Sequence, residues 1–152
     1  MKNNKKKKKG KGINYSTMRC PYCGSSVIYR SADGIYKDNS KHSMLYVCSK
    51  YPECDAYVRT HPNTNVPMGT LANRRLRELR KEAHKYFNRI YEEGYMTKQD
   101  AYRWLSFAIS APMSHTHIGN LGEYYCGVVI KESKRILENK KRANNDKKEE
   151  TA

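Results

Sequence analysis

Four of the five cysteines fall in two pairs, and their spacing constrains this chain more than any other feature. Cys20-Pro-Tyr-Cys23-Gly24 leaves two residues between its sulfurs, which lets a tight turn aim both at one point. Gly24 adds backbone freedom just beyond the turn. Cys48-Ser-Lys-Tyr-Pro-Glu-Cys54 is a second pair with a longer loop. Between and after the pairs lie short runs of branched and aromatic residues, Val27 to Arg30, Leu45 to Val47 and Ala56 to Arg59. Such runs read as strands, with Asp33-Gly34 as a turn and Lys37 to His42 as a polar loop. Three short strands bury too little to fold alone, because a unit of about 40 residues ordinarily needs a metal or disulfides.

The cysteines supply that cross-link. Four thiolates form the closed tetrahedral set of a structural zinc, so Cys20, Cys23, Cys48 and Cys54 are the expected ligands of one Zn(2+) per chain. No coordination position stays open for water, so the metal is not expected to be catalytic. Two disulfides or an iron–sulfur cluster are the alternatives for the same residues.

After the ribbon, expected over residues 19–60, His61-Pro-Asn-Thr-Asn-Val-Pro67 lies in a linker, residues 61–69, whose prolines and asparagines oppose both helix and strand. The periodicity then changes. Ala72, Leu76, Leu79, Ala83, Phe87 and Ile90 recur at three- and four-residue steps and predict a helix from about Thr70 to Glu92, stopped by Gly94. Thr97, with Asp100 three residues on, opens a second helix that carries Ala101, Trp104, Leu105, Ala108 and Ile109 and stops at Pro112. Asn120 is the expected cap of a third, which buries Leu121, Tyr125, Val128, Val129, Ile136 and Leu137. The fold class is therefore α+β: a small β zinc ribbon followed by a three-helix unit over residues 70–142. Residues 1–18 and 143–152 are expected as disordered charged tails, since they carry almost nothing to bury.

The charge balance points to the partner. The formal net charge is +15, from 30 Lys+Arg against 15 Asp+Glu, and seven of the lysines lie between Lys2 and Lys11. Such a field attracts polyanions, of which nucleic acid is the commonest. There is no apolar run of membrane-spanning length, no lipidation motif and no secretory signal, so the expected location is the cytoplasm, with no membrane partner.

Two resemblances sharpen this reading. Cys20-Pro-Tyr-Cys23-Gly24 followed by Val47-Cys48-Ser-Lys-Tyr-Pro-Glu-Cys54 resembles the C-terminal zinc ribbons of bacterial type I topoisomerases, which carry C-P-x-C-G and then G-C-S-x-Y-P-x-C. That resemblance implies contact with single-stranded DNA. It covers only the ribbon and implies no strand cleavage. A wider set, including Cys54-Asp-Ala-Tyr-Val58, His61, Pro67-Met-Gly-Thr-Leu-Ala-Asn73, Leu76-Arg77, Arg80, Ala83-His84 and Ala101-Tyr-Arg-Trp-Leu105, resembles a bacterial and phage family. The family is named as a zinc-finger-containing domain of unknown function. His117-Ile-Gly119 and Cys126 fit the same pattern. This resemblance implies an architecture rather than an activity.

The expected function is nucleic-acid binding, with single-stranded DNA or RNA preferred. Arg74, Arg77, Lys81 and Lys85 share a stripe of the first helix and are the candidates for phosphate contact. Tyr22 and Tyr51 are the candidates for stacking on bases. The first alternative is an adaptor that docks on a nucleic-acid-processing enzyme or host factor. The second is an enzyme built around His115 and His117, with Cys126 nearby in sequence. No acidic residue is evident there to orient a catalytic pair, and no Walker A or nucleophile-elbow motif occurs.

Overall fold

The computed structural model describes residues 14–151. Residues 1–13 of the expected N-terminal tail lie outside the described residues; its end is ordered, with a 3-10 turn at Tyr15–Thr17 and with Tyr15 and Met18 packed against the ribbon.

The ribbon is a three-stranded antiparallel sheet in the order β1-β2-β3, with β1 Val27–Ser31, β2 Met44–Cys48 and β3 Tyr57–Arg59. Tyr29 faces Tyr46 across the first pair, and Val47 faces Tyr57 across the second. The central strand is buried on both sides, and strand alternation divides its residues. Tyr46 and Cys48 pack with Cys20, Ala56, Val58 and Leu71 on one face. Leu45 and Val47 pack with Ala32 and the rims of Tyr36, Tyr51 and Tyr57 on the other.

The linker is not a spacer. Its chain folds back on β3, with Met68 N–H donating to the Arg59 carbonyl and His61 N–H to that of Val66. Ala72 then pairs with Tyr57 through two backbone hydrogen bonds of 3.1 Å, so the open edge of β3 is partly covered. A short crossing follows. Thr70 N–H donates to the Gly119 carbonyl at 3.1 Å, and a Cβ on Gly69 would stand 2.0 Å from that same oxygen. Both Gly69 and Gly119 lack a Cβ where two backbones touch.

The helical unit consists of α1 Arg74–Glu92, α2 Lys98–Ala108 and α3 Glu123–Glu150. α1 starts four residues later than expected because Asn73, not a residue near Thr70, caps it, its side chain accepting from Leu76 N–H. It buries Leu76, Arg80, Ala83, Phe87 and Ile90, and ends where Gly94 turns to a φ of 78°. Arg80 thus takes a buried position that the apolar pattern gave to Leu79, which is only partly buried. Thr97 caps α2 as expected, by accepting from Asp100 N–H. α2 ends before Pro112 is reached, with Ser110 at a φ of 51°. α1 packs chiefly on α3. Phe87, Ile90 and Leu105 sit fully buried among the three helices. Truncating a core aromatic such as Phe87 to Ala removes about 3–5 kcal/mol.

α3 departs from expectation at both ends. Asn120 belongs to a preceding 3-10 turn, Ile118–Asn120, and the cap position is Gly122, which has no side chain to offer. At the far end the helix runs through the expected polar tail to Glu150. After Gly127 that stretch contains no Gly or Pro to interrupt it, and Glu138 and Arg142 stand one turn apart. Its buried positions stop at Leu137, so the remainder stands in solvent. Tyr125, expected inside, is exposed at the helix start. No described helix is long and apolar enough to cross a membrane.

Candidate metal centre and cationic groove

The metal centre is built by two turns that meet at one end of the sheet. In the first, Gly24 N–H donates to the Cys20 carbonyl and Cys20 N–H to that of Ser25, with Gly24 at a φ of 73°. In the second, Tyr51 N–H donates to Cys48 and Cys54 N–H to Lys50. Ser49 N–H bonds to the Ser26 carbonyl and ties the turns together.

These turns bring the four sulfurs within 4.8 Å of one another. Cys20 and Cys54 are 3.6 Å apart at Sγ, and Cys23 and Cys48 3.4 Å. A disulfide needs about 2.0 Å, which removes that alternative. Zinc–sulfur bonds of about 2.3 Å in a tetrahedron place sulfurs about 3.8 Å apart, within the observed range. The donor set fits one structural zinc. Cys20, Cys23, Cys48 and Cys54 hold it, and its role is to fasten the two turns.

Without metal the thiols differ. Burial pushes the Cys48 thiol up to about 12, while hydrogen bonds from Ser25, with a further one from Cys48, bring Cys23 down to about 6. Zinc must therefore displace a proton from Cys48 in order to bind.

A second feature lies where the ribbon meets α1. A cavity of about 930 Å³ runs between the segment at residues 35–38, β3, α1 and the turn at Gly119. Lys37, Arg59, Arg74 and Lys81 border it, against Asp38 and Glu78, and Tyr36, Tyr57 and Tyr102 supply rings to the same walls.

The groove gathers three of the four cations proposed from the helix stripe. Arg74 borders it in an exposed ion pair with Glu78, and Lys81 is exposed on the same wall. Arg77 is also there, but it is engaged. It donates to the Asp55 carbonyl and the Ala72 carbonyl, both at 2.7 Å, and to the Asp55 carboxylate at 3.2 Å. Its guanidinium lies 3.9 Å over the Tyr57 ring. Lys85 is not among the bordering residues; it stands on the neighbouring face, 5.4 Å from the ring of Tyr86.

The two tyrosines proposed for stacking lie elsewhere. Tyr22 is 44% exposed, but its hydroxyl accepts from Asn73 N–H and so braces the start of α1. Tyr51 is half-buried against the Leu45 and Val47 face of the sheet. The rings that do border the groove are Tyr36, Tyr57 and Tyr102. Lys37 and Arg59 carried no sequence signal beyond their charge.

Arg80 differs from Arg77 in its partners. It is 8% exposed and donates to the Leu121 carbonyl, the Thr70 carbonyl and the Thr70 hydroxyl, all neutral. Burial lowers its pKa. No carboxylate pairs with it among the described residues.

His115 and His117 are both exposed, and His115 Nδ1 lies 3.0 Å from Ser114 Oγ. Only His117 borders the groove. Cys126 is fully buried, its thiol 3.8 Å from the Leu121 carbonyl, and burial raises its pKa. Among the described residues the four ribbon cysteines are the one group of three or more candidate metal donors.

No curated protein and no solved structure matches the chain. A protein-family model does match, and its span begins just before the first knuckle and ends one residue short of Leu137, the last buried position of α3. On that match, over residues 16–136, the chain belongs to the family described as a zinc-finger-containing domain.

Proposed function

We propose that the protein binds nucleic acid along the groove between ribbon and α1, and that it prefers single strands. The observation that carries this reading is the meeting of cations and aromatic rings in one cavity: Lys37, Arg59, Arg74 and Lys81 with Tyr36, Tyr57 and Tyr102. Cations along a groove pair with successive phosphates. Rings offer stacking surface that only unpaired bases can use, since a duplex keeps its base faces covered. Arg80, on the groove wall, adds a positive charge with no carboxylate against it among the described residues. The resemblance of the ribbon to topoisomerase ribbons and the net charge of +15 support the same reading.

The test is a pair of titrations of the full chain, with a single-stranded oligonucleotide and with its matched duplex, over a range of salt. The single strand is expected to bind more tightly. With about four phosphates engaged, the logarithm of affinity falls against the logarithm of salt with a slope near −3, at about 0.7 per phosphate. Equal binding of both forms would remove the single-strand preference. No binding at low salt would remove the reading.

A protein-docking role is the second reading. It rests on Phe107 and Tyr124, which are 85% and 75% exposed on the helical unit. Capture of a partner that survives salt well above physiological strength would favour it.

A further inference from the structure

We infer that the stacked pair Arg77–Tyr57 is a subsite for one unpaired nucleobase, and that Arg77 acts there as a planar surface rather than as a phosphate clamp. This rests on the groove reading above and assigns one position within it.

The case begins with charge. Arg77 donates to the Asp55 carboxylate at 3.2 Å, so its charge is already countered. Its Nη1 is occupied by two backbone carbonyls at 2.7 Å. Three of its five N–H donors are thus taken and its charge is paired, which weakens it as a phosphate clamp. Its face stays available for stacking. The carbonyl and carboxylate bonds hold the group 3.9 Å over the Tyr57 ring, and its side chain keeps 21% of its surface exposed. Arg77 and Tyr57 both border the cavity. Tyr36 meets Tyr57 in an edge-type contact, with centroids 6.2 Å apart, and borders the same cavity. A planar cation backed by an aromatic ring is a surface on which an unpaired base stacks, and Arg guanidinium planes serve that purpose in single-strand recognition.

The neighbouring cations fit the same placement. Arg74 and Lys81 stand three residues before and four after Arg77, on the same face of α1. Along the helix axis that is about 4.5 and 6 Å to either side, at a rise of about 1.5 Å per residue. A base seated on the Arg77–Tyr57 pair thus brings its flanking phosphates beside Arg74 and Lys81. Those two cations are exposed, and Arg74 has only a solvent-screened partner in Glu78.

The test compares a single-stranded oligonucleotide with an abasic one of the same length, which keeps the phosphates and lacks the bases. Both are titrated against the full wild-type chain and against Arg77→Lys, with zinc content and melting temperature recorded for each protein. Wild type is expected to prefer the base-bearing strand by about ten-fold or more, the scale of one stacked base. Arg77→Lys keeps the charge and loses the plane. It is expected to lose most of that preference, with the abasic affinity and the salt slope unchanged. Should Arg77→Lys lose zinc or fail to fold, Tyr57→Leu, which leaves the Asp55 bonds in place, is expected to lose the same preference. Equal weakening toward both strands would show Arg77 to be only a brace between ribbon and helix, and overturn the subsite. An unchanged preference in both variants would overturn it too. Equal binding of both strands by wild type would overturn the subsite and leave the cationic groove standing. Binding of neither strand would remove groove and subsite together.

Discussion

Arg77 and Asp55 join the helical unit to the ribbon through both the carboxylate and the main-chain carbonyl of Asp55. Asp55 is the residue after Cys54, so the metal centre and the groove wall share one short stretch of chain. Fastening Cys54 therefore also positions the anion that holds Arg77.

Metal content is the first expectation to check. Elemental analysis of protein purified without added metal should give about one zinc per chain and negligible iron. Cys23→Ser and Cys54→Ser should each lose it, while Cys126→Ser should keep it, since that thiol is buried in the helical core. Zinc retained in both ligand variants would show the site to be wrongly drawn.

Zinc affinity should rise with pH. The Cys48 thiol, pushed up to about 12, stays protonated in the metal-free site through the neutral range, so binding releases its proton at every pH tested there. Cys23, at about 6, adds a further proton only below that value. Competition with a chelator should thus show a steeper pH dependence below about pH 6 than just above it. A pH-independent affinity from pH 5 to 8 would contradict this assignment of thiols as ligands.

The sequence showed the ribbon and the helical stripes because both depend on local pattern. Val27 to Arg30, Leu45 to Val47 and Ala56 to Arg59 are runs of branched and aromatic residues that favour strands, and Leu76, Ala83, Phe87 and Ile90 keep helical steps. The zinc ligands were equally visible, since their spacing carries the geometry. The groove was not, because it exists only where residues 35–38 and 57–59 come to face α1. Periodicity likewise could not distinguish Arg77 from Lys81. Both lie on the basic stripe, yet only one is held by Asp55 and two carbonyls. Arg80 was hidden for a related reason. A guanidinium can occupy a core position once Thr70 and Leu121 turn their oxygens toward it.

Arg80→Ala should destabilise the fold by about 1–3 kcal/mol, because it leaves the buried Leu121 carbonyl without its donor, while water can reach the exposed Thr70. Thermal melting of the zinc-loaded protein is the measurement. A change below about 1 kcal/mol would mean that water reaches the Leu121 carbonyl too. By contrast, Ser133→Ala should be neutral or stabilising, since the Ser133 hydroxyl is buried without a partner among the described residues.

Lys81→Ala should lower the salt slope of single-strand binding by about 0.7, the release expected from one phosphate. Deleting residues 1–12 should weaken binding to every oligonucleotide by a similar factor, as cations that touch phosphates alone carry no sequence information. A changed sequence preference after deletion would instead make that arm a specific reader.

The contact of Gly69 with Gly119 also bears on the order of events in folding. Its partners lie 50 residues apart in a chain whose α1–α2 pairing is local. Closing so long a loop is entropically costly before other contacts repay it. The crossing should therefore form late, after the helices have met. A Cβ at Gly119, which would stand 2.6 Å from the Met68 carbonyl, should then act mainly on the escape from the native state. Gly119→Ala should speed unfolding severalfold and leave the refolding rate nearly as it was.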